Sequence, residues 1–351
     1  MSTALTELVR QSLGDPLAEI AEHREVPVRR GRGMLSTVSL RRVTGTTTGG
    51  ASWSFFVKSI QSVRHLPGFG DLPAHLRDAV AADFPWRADA DVYLSGRALP
   101  EGLRLPRVYR VEDLGDDRLV LWLEDVRVAA GDWDLARYAA AAGLLGELAA
   151  MHPAGGRGTD VGLRKFCAGP VANLFLPKLA DPDTWRHPLL ARHADPLLRA
   201  DLLGLAGRID ALLAVADGLP HTLAHGDASP ENLLVPADGS ARFVAIDWSW
   251  PYPAVVGFDL GQLLVGRAQS GELDPGELPA VHETIESAYA EAAGADPAQV
   301  SLGYAASLVL RSAWTALPLE RLEEEPGPEL HELFRRRAGL ARFIADLGRG
   351  L

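Results

Sequence analysis

The chain has 351 residues, 47% of them hydrophobic and 23% charged, a globular composition that excludes a disordered or fibrous chain. At roughly 150 residues per domain, the length predicts two units. Lys and Arg number 35 against 46 Asp and Glu, a net charge of −11; such a surface repels nucleic acid and anionic lipid, and both a cationic ligand and simple solubility are compatible with it.

The one cysteine, Cys167, excludes an internal disulfide and a cysteine-based metal site, which suits a reducing cytoplasm. Residues 1–14 set Thr6, Glu7, Arg10 and Gln11 among apolar neighbours and lack a signal-peptide core. No run reaches the ~18 apolar residues of a membrane span. A soluble cytoplasmic protein is expected.

Leu5, Leu8, Val9 and Leu13 follow helical spacing. Strands are predicted over 25–30 and 34–44, joined across Gly31-Arg32-Gly33, with a turn at 45–50 and a third strand at 52–60. In that strand Trp53, Phe55 and Val57 alternate onto one face, and Ser54, Phe56 and Lys58 onto the other. A lysine inside an aromatic strand calls for an anionic partner, unless its face is solvated.

Residues 73–93 read as helical with a break near Pro85. Strands at 107–111 and 118–124 complete a five-stranded antiparallel sheet. From about 128 the pattern turns helical: 133–151, ended by His152-Pro153, then a helix marked by Leu198, Leu202, Leu205, Ile209 and Leu212. The chain after Gly276 is helical with a charged break at 323–327. No internal repeat or long low-complexity linker is present. The expectation is α+β: a small strand-rich lobe (1–122), a hinge (123–128) and a larger helical lobe (129–351).

The chemistry concentrates in His225-Gly226-Asp227-Ala228-Ser229-Pro230-Glu231-Asn232, followed by Leu233-Leu234-Val235, a polar turn, and Phe243-Val244-Ala245-Ile246-Asp247-Trp248. Two short apolar runs about a turn read as a hairpin, which brings Asp227, Asn232 and Asp247 to one cleft. Asn and Asp oxygens suit Mg²⁺, and a carboxylate beside an acceptor hydroxyl can take its proton during phosphoryl transfer. Taken singly, Asp and Asn are also turn formers. Together, at this interval, they point to phosphoryl transfer.

The segment resembles that of the aminoglycoside phosphotransferase and choline-kinase-like family, relatives of the protein kinases. The catalytic loop reads HGDxxxxN, with Gly226 where protein kinases have Arg, and Ile246-Asp247-Trp248 stands in place of DFG. The resemblance implies a bilobal protein-kinase-like fold using ATP and Mg. It implies Asp227 as catalytic base, Asn232 and Asp247 as Mg²⁺ ligands, and His225 as support. Asp259 of Gly257-Phe258-Asp259-Leu260 braces the loop, an N-cap role being compatible.

On the nucleotide side the resemblance implies Lys58 at the α- and β-phosphates. Asp89 stands at the position of the usual Glu partner, with Asp91 as the alternative. Gly31, Gly33, Ser36 and Thr37 form a phosphate-covering loop, where a plain hairpin turn is the other reading. Backbone groups around Glu124 and Val126 bond the adenine, and Trp122 lines its pocket or belongs to the core.

The implied function is ATP- and Mg-dependent transfer of the γ-phosphoryl group to a small-molecule hydroxyl. An aminoglycoside or other amine-bearing compound is one acceptor, with acidic residues from 320–325 facing it, or that run is simply a solvated face. A Ser/Thr kinase for a biosynthetic peptide and a nucleotide-binding pseudokinase scaffold are the alternatives. The joint presence of Lys58, Asp227, Asn232 and Asp247 weighs against a scaffold. The lack of an Ala-Pro-Glu motif after Asp247 weighs against an ordinary protein kinase.

Overall fold

The computed structural model describes residues 3–28, 36–71, 77, 80–81 and 84–351. Helix α1 (Thr3–Leu13) precedes β1 (Ile20–Val28), β2 (Thr37–Thr47) and β3 (Ser52–Gln61). Then come α2 (Ala88–Leu94), β4 (Leu103–Arg104), β5 (Val108–Asp113) and β6 (Arg118–Glu124). The expected antiparallel sheet has five strands in the order β1-β2-β3-β6-β5. Two strands have bounds that differ from their sequence reading. β1 starts at Ile20 because Ile20 pairs with Thr47 and is buried, although the polar residues between Ala21 and Val26 hide the strand. β2 continues to Thr47, whose N–H donates to the Ala51 carbonyl at 2.8 Å, confining the turn to the residues between.

The alternation in β3 divides the sheet into two faces. Trp53, Phe55 and Val57 are buried with Leu8 and Val9 of α1, so the helix covers the outer face. Ile60 joins the larger core on the other face, which also carries Lys58. Full burial of one such side chain contributes about 1.5–3 kcal/mol.

The remainder is mostly helical. Asp134 caps α3 (Leu135–Met151) by accepting from the Arg137 N–H at 2.8 Å, so the helix begins two residues later than predicted. α4 (Val161–Phe166) runs into a π-helical stretch, Cys167–Phe175, followed by α5 (Leu176–Ala180), α6 (Pro182–Arg186) and α7 (Pro188–His193). The single helix expected around Leu198–Leu212 is two, α8 (Leu198–Ala206) and α9 (Ile209–Asp217), separated at Gly207-Arg208. Their apolar residues stay in helical phase across the break. The C-terminal helices are α10 (Phe258–Ser270), α11 (Leu278–Ala293), α12 (Pro297–Ser312) and α13 (Pro328–Arg349).

Short strands fix the site. β9 (Leu233–Leu234) and β10 (Phe243–Ala245) form the expected hairpin, and β10 also pairs in parallel with β4, far upstream. β8 (Pro220–Thr222) pairs with both β7 (Pro153–Arg157) and β11 (Ala254–Val255), anchoring the chain on either side of the hairpin. No helix among the described residues is long and apolar enough to cross a membrane.

Candidate active site

The loop carrying Asp227 is shaped by α10 and α12. At the start of α10 Gly257 is the N-cap, with φ +83°, and Asp259 follows inside the first turn. The Asp259 carboxylate accepts the backbone N–H groups of His225 and Gly226, both at 2.8 Å. It is thus a loop brace rather than a helix cap. Burial pushes its pKa up to about 6, and the two N–H donors pull the other way. Gly226 has φ +90°, and a Cβ there would overlap Trp250. Both the backbone conformation and the space therefore demand glycine where protein kinases have Arg.

A cation arrives from elsewhere. Arg311 on α12 donates to the Gly226 carbonyl. Its guanidinium lies 5.1 Å from the ring of Trp250 and 5.2 Å from that of Phe258. Burial lowers its pKa, while the facing charges of Asp227 and Asp259 raise it. His225 accepts the Asp227 N–H on Nδ1 at 3.2 Å and stacks on Trp248 at 4.5 Å. Burial lowers its pKa to about 4, so it is a neutral support.

Asn232 turns its amide nitrogen to the backbone and side-chain oxygens of Asp227, both at 2.9 Å. That orientation leaves its carbonyl oxygen as the remaining hard donor. The Asp227 pKa is raised, chiefly by burial, with Arg311 opposing. The Ile246 N–H donates to the backbone carbonyl of Asn232 at 3.0 Å, leaving the side-chain oxygen unused by it, and the hairpin delivers Asp247 at its end. Asp247 has φ +58°, a strained left-handed conformation for a residue with a Cβ. Its N–H donates to the Tyr93 hydroxyl at 3.1 Å, and the next N–H, of Trp248, donates to Asp89 Oδ1 at 3.2 Å.

The other Asp89 oxygen lies 2.7 Å from Lys58 Nζ, and Lys58 also pairs with Asp247. Burial alone would lower the lysine pKa. The two carboxylates more than offset it, so Lys58 is held charged, above the usual lysine range. Asp91, the alternative partner, faces Arg87 at 3.3 Å on the surface instead.

A cavity of about 740 Å³ gathers Ser36, Lys58, Asp89, Asp227, Asn232 and Asp247. Thr37 lines it as well; Gly31 and Gly33 fall outside the described residues. Glu124 and Val126 do not line it. The Glu124 N–H is taken by the Arg107 carbonyl at 2.8 Å and its carboxylate by Arg104 at 2.7 and 2.8 Å, so that N–H has no hydrogen bond left for adenine. Trp122 packs on the outer-face core and donates to Glu112 at 3.0 Å, a core role. The Glu320–Glu325 run is also absent from the cavity wall; Glu324 pairs with Arg321 at 2.6 Å.

Two contributors escaped the sequence pattern. Tyr93 lies four residues after Asp89 on α2, a spacing that puts both on one helix face. Arg311 belongs to no motif, and nothing in the sequence connects it to Gly226. For a metal, the Asn232 carbonyl oxygen and the Asp247 carboxylate are hard donors of the type Mg²⁺ takes, with nucleotide phosphates left to complete its shell.

No family model matches the chain, and no curated protein matches it in sequence. Solved structures do match its fold. The aminoglycoside phosphotransferase of Alicyclobacillus acidocaldarius is 16% identical, with 93% of this chain and 92% of that one covered at a TM-score of 0.50. A thermostable variant of aminoglycoside phosphotransferase APH(4)-Ia, solved in ternary complex with AMP-PNP and hygromycin B, is 12% identical. It covers 99% of this chain and all of that one, 100%, at a TM-score of 0.51. The fold is therefore the α+β, kinase-like architecture of the aminoglycoside phosphotransferases: an antiparallel five-stranded N-terminal sheet followed by a helical C-terminal part.

Proposed function

We propose that this protein is a kinase that transfers the γ-phosphoryl group of ATP to a hydroxyl of a small molecule, with Mg²⁺ as cofactor. The observation that carries the reading is the convergence of the Lys58–Asp89 pair, Asp227, Asn232 and Asp247 on one cavity. Asp227 orients the acceptor hydroxyl and takes its proton as the hydroxyl oxygen bonds to the γ-phosphorus and the bond to the bridging oxygen breaks, releasing ADP. Lys58 meets the phosphate oxygens, and Ser36 donates to them from the start of β2. Asn232 and Asp247 hold Mg²⁺, which supplies neutralisation of phosphate charge. The lobes meet at 123–128.

The acceptor panel begins with aminoglycosides, on the strength of the neighbours' names, and includes neutral sugars and Ser-containing peptides. Asp227→Asn is expected to lower transfer by about 10²–10⁴-fold while MgATP still binds. Transfer at the native rate in that variant would remove Asp227 as the base. Loss of MgATP binding in Asp247→Ala checks the metal assignment by calorimetry.

A further inference from the structure

We infer, resting on the kinase reading above, that the Tyr93 hydroxyl is a positioning group for the reaction: it holds Asp247 in the backbone conformation that aims its carboxylate into the cavity. Tyr93 is buried and does not line the cavity, so it acts through the residues it bonds rather than on nucleotide or acceptor. Among the described residues three that carry a Cβ have positive φ: Asp116, Asp117 and Asp247. The first two lie in the turn between β5 and β6, where such angles close a hairpin. Asp247 closes no such turn. Its strain persists only because its surroundings over-determine it.

Four successive N–H groups supply that constraint. Those of Ile246 and Ser249 donate to backbone carbonyls of the loop that bears Asp227, Asn232 at 3.0 Å and His225 at 3.2 Å. Those of Asp247 and Trp248 donate to α2, to the Tyr93 hydroxyl at 3.1 Å and to Asp89 Oδ1 at 3.2 Å. The tie at the strained residue itself is therefore the tyrosine's. A hydroxyl that accepts an N–H still has its own proton to give, and Tyr93 gives it to the Asp89 carboxylate. One hydroxyl thus bonds both the partner of Lys58 and the backbone of Asp247. Phenylalanine at this position would leave the Asp247 N–H unpaired at a residue that favours negative φ. The backbone would relax, turning the carboxylate away from Lys58 and from the metal it is proposed to hold.

The test compares Tyr93→Phe with the parent as full chains. Phenylalanine keeps the ring in the core, and Tm confirms that the variant is folded. Mn²⁺ stands in for Mg²⁺ and AMP-PNP for ATP, so binding is read by electron paramagnetic resonance without turnover. The variant is expected to take up Mn²⁺ with AMP-PNP about tenfold more weakly than the parent. AMP-PNP in EDTA, followed by calorimetry, is expected to bind no more weakly. Equal weakening in both conditions would assign the hydroxyl to the Lys58–Asp89 pair or to packing, and overturns the inference. Unchanged Mn²⁺ uptake overturns it as well. Hydrogen exchange over 246–249, read by mass spectrometry without nucleotide, should be at least about tenfold faster in the variant. That comparison needs no ligand. A parent that takes up no Mn²⁺ with AMP-PNP would therefore fail the kinase reading by itself, whereas equal exchange in the two proteins fails the inference.

Discussion

Gly226, Asp227 and Asn232 are legible in sequence because their spacing encodes a loop geometry. Arg311 is not, because the contact it makes spans 85 residues and carries no motif. Yet it is the cation that faces both Asp227 and Asp259. Arg311→Met leaves the Gly226 carbonyl without this partner and two buried carboxylates without a counter-charge; the expected loss of stability is about 3–5 kcal/mol, read from urea unfolding. Two buried groups here also titrate in opposite senses. Asp259, raised from 3.8 to about 6, binds its proton more tightly in the folded chain. Its contribution to stability is full below pH 3.8 and lost as pH rises through 6. His225, lowered from 6.5 to about 4, contributes fully above pH 6.5 and loses that contribution as pH falls through 4. Between these limits the two largely cancel. Asp259→Asn removes the compensating limb, so on acidification from pH 6.5 to 4 the variant should lose about 2–3 kcal/mol more than the parent. Equal pH slopes in the two proteins would contradict this assignment.

The elements that sequence periodicity names correctly are those whose pattern is local. β3 alternates strictly, and its two faces meet α1 and the Lys58 cavity as the alternation requires. The same local logic fails for α8 and α9, where apolar spacing continues in phase through a break at Gly207-Arg208. It also fails for β4, a two-residue strand whose partner β10 lies well over a hundred residues away; no local pattern can announce a parallel pairing that short. The parallel pairing with β4 holds the hairpin that delivers Asp247, and α10 packs against the loop that precedes it. Gly266→Ala would place a methyl against Ser229 and Pro230 and push the helix from the loop. Misplacement of about an ångström costs up to roughly a hundredfold in rate, so kcat should fall by about 10–100-fold with the MgATP KM little changed. A fall confined to the MgATP KM would place the effect of α10 elsewhere.

At the scale of the whole molecule, length suggests two units, and the cavity is built from both the sheet and the helical part. The net charge of −11 is plain from the sequence, but its local consequence needed the structure. Lys58 is the one lining cation among the described residues, and its charge is already matched by Asp89 and Asp247. Polyanionic ATP without a divalent ion thus meets a cavity in which carboxylates outnumber cations, inside a protein whose average field also repels it. Chelation with EDTA should therefore weaken ATP binding by at least about a hundredfold, some 2.7 kcal/mol. Asp247 sharpens the argument because its charge acts in opposite directions in the two conditions. If its carboxylate holds Mg²⁺ as proposed above, Asp247→Asn should loosen MgATP. Without Mg²⁺ the same carboxylate only repels phosphate and occupies Lys58, so Asp247→Asn should tighten metal-free ATP relative to the parent. Calorimetry in both conditions should show the two affinities cross. A substitution that weakened both alike would mean that Asp247 acts through the shape of the hairpin rather than through its charge.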